Sequence, residues 1–190
     1  MSPRTEQQFE SIRSEKISRI KNTALQLFSE YGYENTSISA IAKEIGMSKG
    51  LLYHYFSGKE ELLKEIVIDG LNNFAEFLHV EDRTDVKKEE LIRFIDGNLA
   101  SLKQNADYYK LYFSLALQPN IQKLFEKDMM DIFGKILEVF TAYFTKKEER
   151  SPYVKARFML AVFDGIGVHY LADPQSFPID EIREVILEQL

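Results

Sequence analysis

The sequence contains no cysteine, and this absence restricts the chemistry open to the protein. Disulfide bonds, thiolate metal sites and thiol catalysis are excluded, which fits a reducing compartment. No apolar run approaches the roughly 20 residues that span a bilayer. Residues 1–10 are polar, whereas a secretory signal would continue into an apolar stretch. We therefore expect a cytoplasmic protein that does not enter a membrane.

Histidine is also scarce, and the three that occur do not form a metal-binding pattern. His54, His79 and His169 show neither an i, i+4 spacing nor a neighbouring Glu-x-x-His sequence. A Gly-rich phosphate loop and a Gly-x-Ser-x-Gly turn are absent as well. The sequence therefore predicts no catalytic residues, no metal site and no cofactor, and we do not expect an enzyme.

Proline interrupts the chain at only five of 190 positions, and no alternating pattern typical of strands persists. Apolar residues recur at helical spacing instead, and a hydrophobic content of 45% is enough for a packed core. The polar segment 80–85 indicates a connector between two domains. These patterns predict an all-α fold with helices over about 9–31, 38–45, 49–56, 59–78, 86–104, 107–117, 119–146, 152–172 and 179–190.

The net charge of −6 is unevenly distributed along the chain. Residues 1–65 carry nine basic and nine acidic side chains, so the acidic excess belongs entirely to the remaining residues. Between Lys43 and Lys59 there is one further lysine, Lys49, and a single acidic residue, Glu44. Because phosphate contacts require lysine and arginine, the N-terminal part is the one suited to face a nucleic acid.

Two short predicted helices are joined through Gly46-Met47-Ser48 and have the dimensions of a helix-turn-helix. In that motif the second helix enters the major groove of DNA, which is about 12 Å wide and admits a helix. Gly46 suits the turn, because the chain must reverse within three or four residues and glycine adopts a left-handed conformation readily. The same spacing also occurs in helical bundles that do not bind DNA, so the content of the second helix has to decide.

The second helix, residues 49–56, presents two different faces. Leu52 and Phe56 are four residues apart and can anchor the helix in the core. Tyr53 and His54 then point elsewhere, and their hydrogen-bonding tips can contact phosphates and base edges. The alternative interpretation is that the tyrosines of this helix pack against neighbouring helices.

The region around this motif resembles the TetR family of transcriptional regulators. The resemblance runs from about Ile17 to Ile66, about a quarter of the chain. It rests on a Tyr-Gly helix end, an Ile-Ala-Lys-Glu-Ile-Gly helix, a Ser-Lys-Gly turn and a Tyr-His-Tyr-Phe helix, which begin at Tyr31, Ile41, Ser48 and Tyr53. Few other families combine these features.

The resemblance implies which residues contact DNA. Thr36 or Ser37, at the start of the first short helix, would meet a phosphate with its hydroxyl and the helix-end amides. The family often has threonine where Leu51 stands, so Leu51 offers a thymine methyl an apolar contact in place of a hydroxyl. The other implied contacts lie in the second short helix and at the start of the next one, and they are Ser48, Lys49, Gly50, Leu51, Tyr53, His54, Tyr55 and Lys59.

The resemblance also implies a second domain that binds a ligand and dimerises. Two copies would pair through the last two long helices, where Ala161, Gly165 and Gly167 are small enough for close approach. Two-fold symmetry then predicts a palindromic operator, with the recognition helices roughly 34–36 Å apart. The expected parts are a helix-turn-helix DNA-binding domain, a linking helix and a ligand-binding and dimerisation domain, over 1–60, about 59–78 and 80–190.

Aromatic side chains are dense in this second part and predict a ligand pocket. The candidate residues are Tyr109, Tyr112, Phe113, Met129, Phe133 and Phe163. Such a lining suits a small apolar or aromatic molecule. The same residue types at helical spacing more commonly form a plain core. Asp164 and His169 are open between two roles, one in the pocket and one in the dimer interface.

Together these features predict a ligand-responsive transcriptional regulator that binds double-stranded DNA as a homodimer. Repression is the common mode of the resembled family, since a dimer on a promoter obstructs polymerase. A small-molecule effector would release the protein from DNA by shifting the linking helix. The alternative is a DNA-binding structural or adaptor protein without ligand-controlled transcriptional activity.

Overall fold

The computed structural model of the chain describes residues 6–78 and 85–190 except residue 117, and these residues form helices and no strand. The all-α prediction is confirmed, and the helix ends agree with the predicted ones to within one turn. Among the described residues, no helix has both the length and the apolar character that a bilayer span requires. The helices of the described ranges are α1 Glu6–Tyr31, α2 Ile38–Glu44, α3 Lys49–Tyr55, α4 Lys59–Glu76, α5 Lys88–Gln104, α6 Ala106–Ala116, α7 Pro119–Lys146, α8 Pro152–Ala172 and α9 Ile179–Leu187.

The chain forms two compact units, Met1–Ile68 and Asp69–Leu190. The division falls inside α4, the helix that we expect to link two domains. The polar connector predicted over 80–85 lies outside the described residues except for its last position. The domain limits expected at residues 60 and 80 therefore stay a prediction.

The N-terminal unit is held together by apolar side chains from each of its helices. Ile20 and Phe28 of α1, Ile41 of α2, Leu52 of α3 and Leu62 of α4 are almost completely buried. Their spacing along each helix places them on the inner face, as the apolar periodicity predicts. The core therefore fixes the rotation of α2 and α3 about their own axes, which decides the side chains that these helices present to solvent.

The turn between α2 and α3 is a Schellman-type helix end. The amide of Met47 donates to the carbonyl of Ala42 at 2.8 Å, and the amide of Gly46 donates to that of Lys43 at 3.1 Å. Gly46 has a φ of +69°, whereas a Cβ at this position would meet open space. The left-handed backbone, and not crowding, is thus the reason for glycine here.

The C-terminal unit has an aromatic core centred on Phe94 of α5. The ring of Phe94 packs edge-to-face on Phe74, Phe140 and Phe163, with centroid separations of 5.3, 5.6 and 5.9 Å. These partners belong to α4, α7 and α8. One ring therefore joins four helices around the interior of this unit.

The C-terminal helix is fixed to the same core by polar bonds. The Arg183 guanidinium of α9 donates from Nε and Nη2 to the two carboxylate oxygens of Asp96 on α5, at 2.5 and 2.9 Å. The hydroxyl of Tyr143 donates to the carbonyl of Leu190 at 2.6 Å in a buried position. A bidentate ion pair and a buried hydrogen bond both have strict geometry, so together they fix the position of α9 on the C-terminal unit.

One face of α8 exposes apolar side chains in the single chain. Val154, Phe158 and Val168 are exposed, and Phe158 keeps 52% of its surface accessible. Ala161 and Gly165 lie between them at spacings of three and four residues, so all five share one side of the helix. We call these five residues the α8 stripe.

Gly167 does not belong to the α8 stripe, although the sequence suggests that it would help two helices approach. It is buried, and a Cβ there would lie 2.8 Å from the ring of Phe113. A helix turns about 100° per residue, which places Gly167 on a different side from Gly165. The small size of Gly167 therefore serves packing within the unit.

Candidate nucleic-acid interface and cavity

Each of the two short helices has a serine side chain that caps its N-terminus. Ser37 Oγ accepts from the amide of Ala40 at 3.1 Å at the start of α2, and Ser48 Oγ accepts from the amide of Leu51 at 3.2 Å at the start of α3. Arg19 of α1 donates from Nη2 to the carbonyl of Ile45 at 3.1 Å, which satisfies the end of α2. Arg19 was not found from the sequence, because nothing in its spacing indicates the helix end that it reaches.

Helix α3 has one buried face and one exposed face. Leu52 is fully buried and Phe56, just past the helix end, is 2% exposed, as the four-residue spacing predicts. Leu51 and Tyr53 keep 41% and 46% of their surfaces accessible. A seven-residue helix anchored by Leu52 thus presents two large side chains outward, where each keeps a large part of its surface open to solvent.

The rest of the predicted contacts on α3 lie on or beside this exposed face. Ser48, Lys49, Gly50 and His54 are exposed, and Tyr55 is half-buried. The ammonium of Lys49 lies 5.8 Å from the ring centroid of Tyr53, one helical turn away. The structure therefore brings the α3 candidates together on a single surface that carries positive charge.

Thr36 and Ser37, the two alternatives for a phosphate contact, are placed differently. Thr36 is 4% exposed, and its Oγ1 lies 2.9 Å from the carbonyl oxygen of Gly32 and 3.2 Å from that of Leu27. Its hydroxyl is thus engaged inside the unit, where it joins the end of α1 to the start of α2. Ser37 stays at the surface, beside the amides that begin α2.

Lys59, at the start of α4, holds the segment that follows α1. Its Nζ donates to the carbonyl of Tyr33 at 2.8 Å and to that of Glu34 at 3.4 Å. The same ammonium lies 4.2 Å from the ring centroid of Tyr33. An ammonium has three N–H donors, so these two carbonyls leave it one hydrogen to offer.

The C-terminal unit contains a cavity of about 50 Å³ among its aromatic side chains. Five of the six predicted ligand residues line it, namely Tyr109, Tyr112, Phe113, Phe133 and Phe163. Phe133 and Phe163 are shared with a second cavity of about 330 Å³. Met129 is not among the lining residues of either cavity that the structure describes, whereas Met130 lines the larger one. One residue along α7 changes the direction of a side chain by about 100°.

Two glycines determine where the cavity walls stand. A Cβ at Gly70 would lie 1.8 Å from Cζ of Tyr108, and a Cβ at Gly167 would lie 2.8 Å from the Phe113 ring. Both distances are far below a normal contact, so each aromatic ring packs directly against helix backbone. The rings of Tyr108 and Phe113 therefore occupy space that any larger residue at these positions would take.

Tyr108 and Asn98 are among the cavity residues that were missed from the sequence. Asn98 is 3% exposed and interrupts the apolar face of α5, between Ile95 and Leu102. A polar residue at a core position of an amphipathic helix is the signal that could have found it. Tyr108 gives no such signal, because only the packing on Gly70 shows its position.

Asp164 and His169 of α8 lie in different surroundings. Asp164 lines both cavities and is exposed in the single chain, although the nearby protein atoms displace enough water to raise the pKa of its carboxyl. The positive charge of Arg157 opposes this effect. The ring of His169 stacks on Phe177 at a centroid separation of 6.4 Å. Asp164 therefore belongs to the walls of both cavities, whereas His169 packs against the loop before α9.

Comparison with known proteins finds a family for the N-terminal part and relatives along most of the chain. A family model described as bacterial regulatory proteins of the tetR family matches residues 20–66. The regulator BetI of Proteus mirabilis is 23% identical over 188 residues, covering 95% of this chain and 91% of that protein. The regulator PksA of Bacillus subtilis is 26% identical over 184 residues, covering 90% and 86%. Both are described as HTH-type transcriptional regulators.

The fold is also that of a solved regulator. A putative transcriptional regulator from Saccharomonospora viridis, crystallised in complex with choline, superposes with a TM-score of 0.68 at 22% identity, covering 92% of this chain and 95% of that one. Fold and site together define a helix-turn-helix DNA-binding regulator of transcription. Residues 20–66 place the N-terminal helix-turn-helix in the tetR family of bacterial regulatory proteins.

Proposed function

We propose that the protein is a repressor that binds a palindromic operator as a homodimer in the cytoplasm and leaves it when a small molecule fills the cavity. The observation that carries this proposal is the exposure of Leu51 and Tyr53 on a helix whose other side is anchored by Leu52. A short helix that is anchored on one side and carries aromatic side chains with hydrogen-bonding groups on the other can enter a major groove.

On the DNA side, α3 enters the groove and the residues around it contact the backbone. Tyr53, His54 and Tyr55 reach base edges or phosphates, and Leu51 meets a thymine methyl. Ser48, Lys49 and Gly50 lie at the start of α3, where helix amides favour a phosphate. Lys59 offers its remaining N–H to the backbone while its two carbonyl contacts hold it in place.

Of the two residues at the start of α2, Ser37 is the one proposed to contact a phosphate. Its hydroxyl caps the helix at the surface, and a phosphate oxygen can approach the same amides. Thr36 acts indirectly, because its buried hydroxyl bonds the carbonyls at the end of α1. Thr36 thereby sets the position of Ser37.

On the effector side, the cavity in the C-terminal unit is proposed to bind a small molecule with an apolar body. Its aromatic walls favour such a ligand over a strongly polar one. The choline complex of the S. viridis regulator supports a small-molecule effector in this fold. Ligand binding would change DNA affinity through α4, to the extent that the ligand prefers one of the two conformations.

The α8 stripe is proposed as the centre of the dimer interface, with α9 beside it. Val154, Phe158 and Val168 are too apolar to face water without cost, and Val185 of α9 is exposed as well. Ala161 and Gly165 lie within the stripe, and a Cβ at Gly165 would meet open space. Two copies of the stripe can therefore pack face to face about a two-fold axis.

Selection of the fragments that the protein binds, from genomic DNA of its source organism, tests the DNA-binding part of this proposal. We expect enrichment of a palindrome, and we expect Tyr53→Ala to lower affinity for it by about 10- to 100-fold, because each lost contact of this kind is worth about 1–3 kcal/mol. Tyr153→Ala, a matched change at another exposed tyrosine, is the control. Enrichment without any effect of Tyr53→Ala would contradict the role given to α3.

Gly50→Ala tests how closely the duplex approaches α3. A Cβ at this position meets nothing within 4 Å in the protein, so the fold accepts it, and a helical alanine adds about 0.5–1 kcal/mol of stability. We expect unchanged or raised thermal stability together with operator affinity about tenfold weaker, equal to about 1.4 kcal/mol. Titration of labelled operator measures the affinity. Unchanged affinity would mean that the backbone at Gly50 stays away from DNA.

A further inference from the structure

The cavity wall carries a buried hydrogen-bond acceptor that the protein does not use. Asn98 Nδ2 donates to the carbonyls of Phe94 at 2.9 Å and Phe74 at 3.3 Å, which fixes the orientation of the amide. Its Oδ1 accepts no hydrogen bond from any described residue, and Asn98 lines the smaller cavity. A buried acceptor without a donor is costly, so a ligand that supplies one gains affinity.

Neutral aromatic rings form much of the remaining wall. The rings of Tyr108 and Tyr112 stack at a centroid separation of 6.5 Å, and Tyr109 meets Tyr108 edge-on at 5.4 Å. Tyrosine is neutral at pH 7, and burial raises the pKa of Tyr108 and of Tyr112 still further above that pH. Ring faces of this kind attract a cation through their quadrupoles.

The formal charges around the smaller cavity are negative. Asp164 is among its described lining residues, and no lysine, arginine or histidine is. The carboxylates of Asp69 and Asp164 act on Tyr108 and Tyr112 respectively. Arg157 lines the larger cavity and not the smaller one, although its positive charge also acts on Asp164. A carboxylate ligand in the smaller cavity would therefore meet negative charge without a cation to pair with.

We propose that the effector is a small protonated amine with a compact apolar body. Its ammonium group lies between Asp164 and the tyrosine ring faces, and one N–H donates to Asn98 Oδ1. The smaller cavity of about 50 Å³ does not hold the whole molecule, so the apolar body passes Phe133 and Phe163 into the larger cavity of about 330 Å³, which shares these two residues and Asp164. This inference rests on the proposed effector function, since it names the class of molecule that the same cavity accepts.

Calorimetric titration of the full chain without DNA, with three probes of one shape, tests the inference. The probes are cyclopentylammonium, cyclopentanol and cyclopentanecarboxylate, which differ in charge and in their hydrogen-bond donors. We expect cyclopentylammonium to bind about tenfold more tightly than cyclopentanol, and cyclopentanecarboxylate to bind most weakly. No binding of the amine, or equal binding of all three, would overturn the proposal.

Three variants separate the charge from the hydrogen bond. Asp164→Asn, an isosteric change at an exposed position, should remove the preference for the amine over the alcohol. Asn98→Leu should weaken both of these probes by about tenfold, because both donate a hydrogen bond. Asp131→Asn, the same charge change at an exposed α7 residue that lines neither cavity, should leave the preference for the amine unchanged. An amine preference that survives Asp164→Asn would contradict the role of its carboxylate, and this readout does not depend on whether Asn98→Leu folds.

Release of the protein from its operator, measured with the same three probes, tests effector control separately from the chemical class of the effector. Amine binding without any change in operator affinity would leave the ligand class standing and remove effector control. Release by cyclopentanecarboxylate, with no response to the amine, would keep effector control and overturn the ligand class. Release by the amine alone supports both.

Discussion

Phe158→Glu is expected to turn the protein into a monomer and to lower its operator affinity by about a hundredfold or more. Phe158 is the largest side chain of the α8 stripe and keeps 52% of its surface exposed in the single chain. A glutamate at the same place on both copies would put two negative charges against each other in an apolar contact. A monomer then binds one operator half at a time and loses the gain in effective concentration that a second half-site provides.

Sedimentation velocity measures the oligomeric state, and titration with operator and with a single half-site measures the two affinities. Met130→Glu is the matched control, because Met130 is 65% exposed on α7 outside the stripe, and its place in the wall of the larger cavity does not enter measurements made without an effector. The half-site affinity of Phe158→Glu should equal that of the wild type, since α3 is untouched. A Phe158→Glu protein that remains dimeric would show that another surface joins the two copies.

Leu52→Ala is expected to lower the free energy of unfolding of the N-terminal unit by about 2–5 kcal/mol. Leu52 is fully buried and is the residue through which α3 is anchored. Removing its side chain leaves a cavity under a helix of seven residues, which has little stability of its own. We therefore expect operator binding to fall together with stability, because the exposed face of α3 loses its fixed orientation.

The adjacent residue provides the control for this prediction. Leu51→Ala changes the same side chain at a position that is 41% exposed, and its effect on stability should stay within about 0.5 kcal/mol. Its operator affinity should nevertheless fall if Leu51 touches a thymine methyl. Urea unfolding followed by circular dichroism measures both stabilities. Equal destabilisation by the two substitutions would mean that α3 does not sit on the core through Leu52.

The fold was accessible from the sequence because local signals mark nearly every helix. Ser37 and Ser48 cap α2 and α3 as their positions suggest, and Gly46 has the left-handed backbone that the turn requires. The apolar spacing within each helix predicts its buried face, and Leu52 and Phe56 confirm this for α3. Caps and periodicity depend on residues within one or two turns of each other, so the sequence contains them directly.

The chemistry of the cavity was less accessible, because it depends on distant residues meeting. Spacing gave Met129 and Phe133 alike as ligand candidates, but only Phe133 lies in the wall. Tyr108 enters the cavity because Gly70 has no side chain to exclude it, and these positions are far apart in the chain. Such pairs leave no periodic trace that local reasoning can use.

Two residues show most directly where the sequence stops being sufficient. Thr36 and Ser37 are neighbours with similar hydroxyls, and only the packing of α1 against α2 turns one inward and leaves the other at the surface. The sequence by itself determined the helices, the helix-turn-helix and the family, because these follow from local spacing and from a contiguous motif. The tertiary structure alone decided the inward turn of Thr36, the unpaired oxygen of Asn98 and the walls of the cavity, because burial and hydrogen-bond satisfaction depend on which helices pack together.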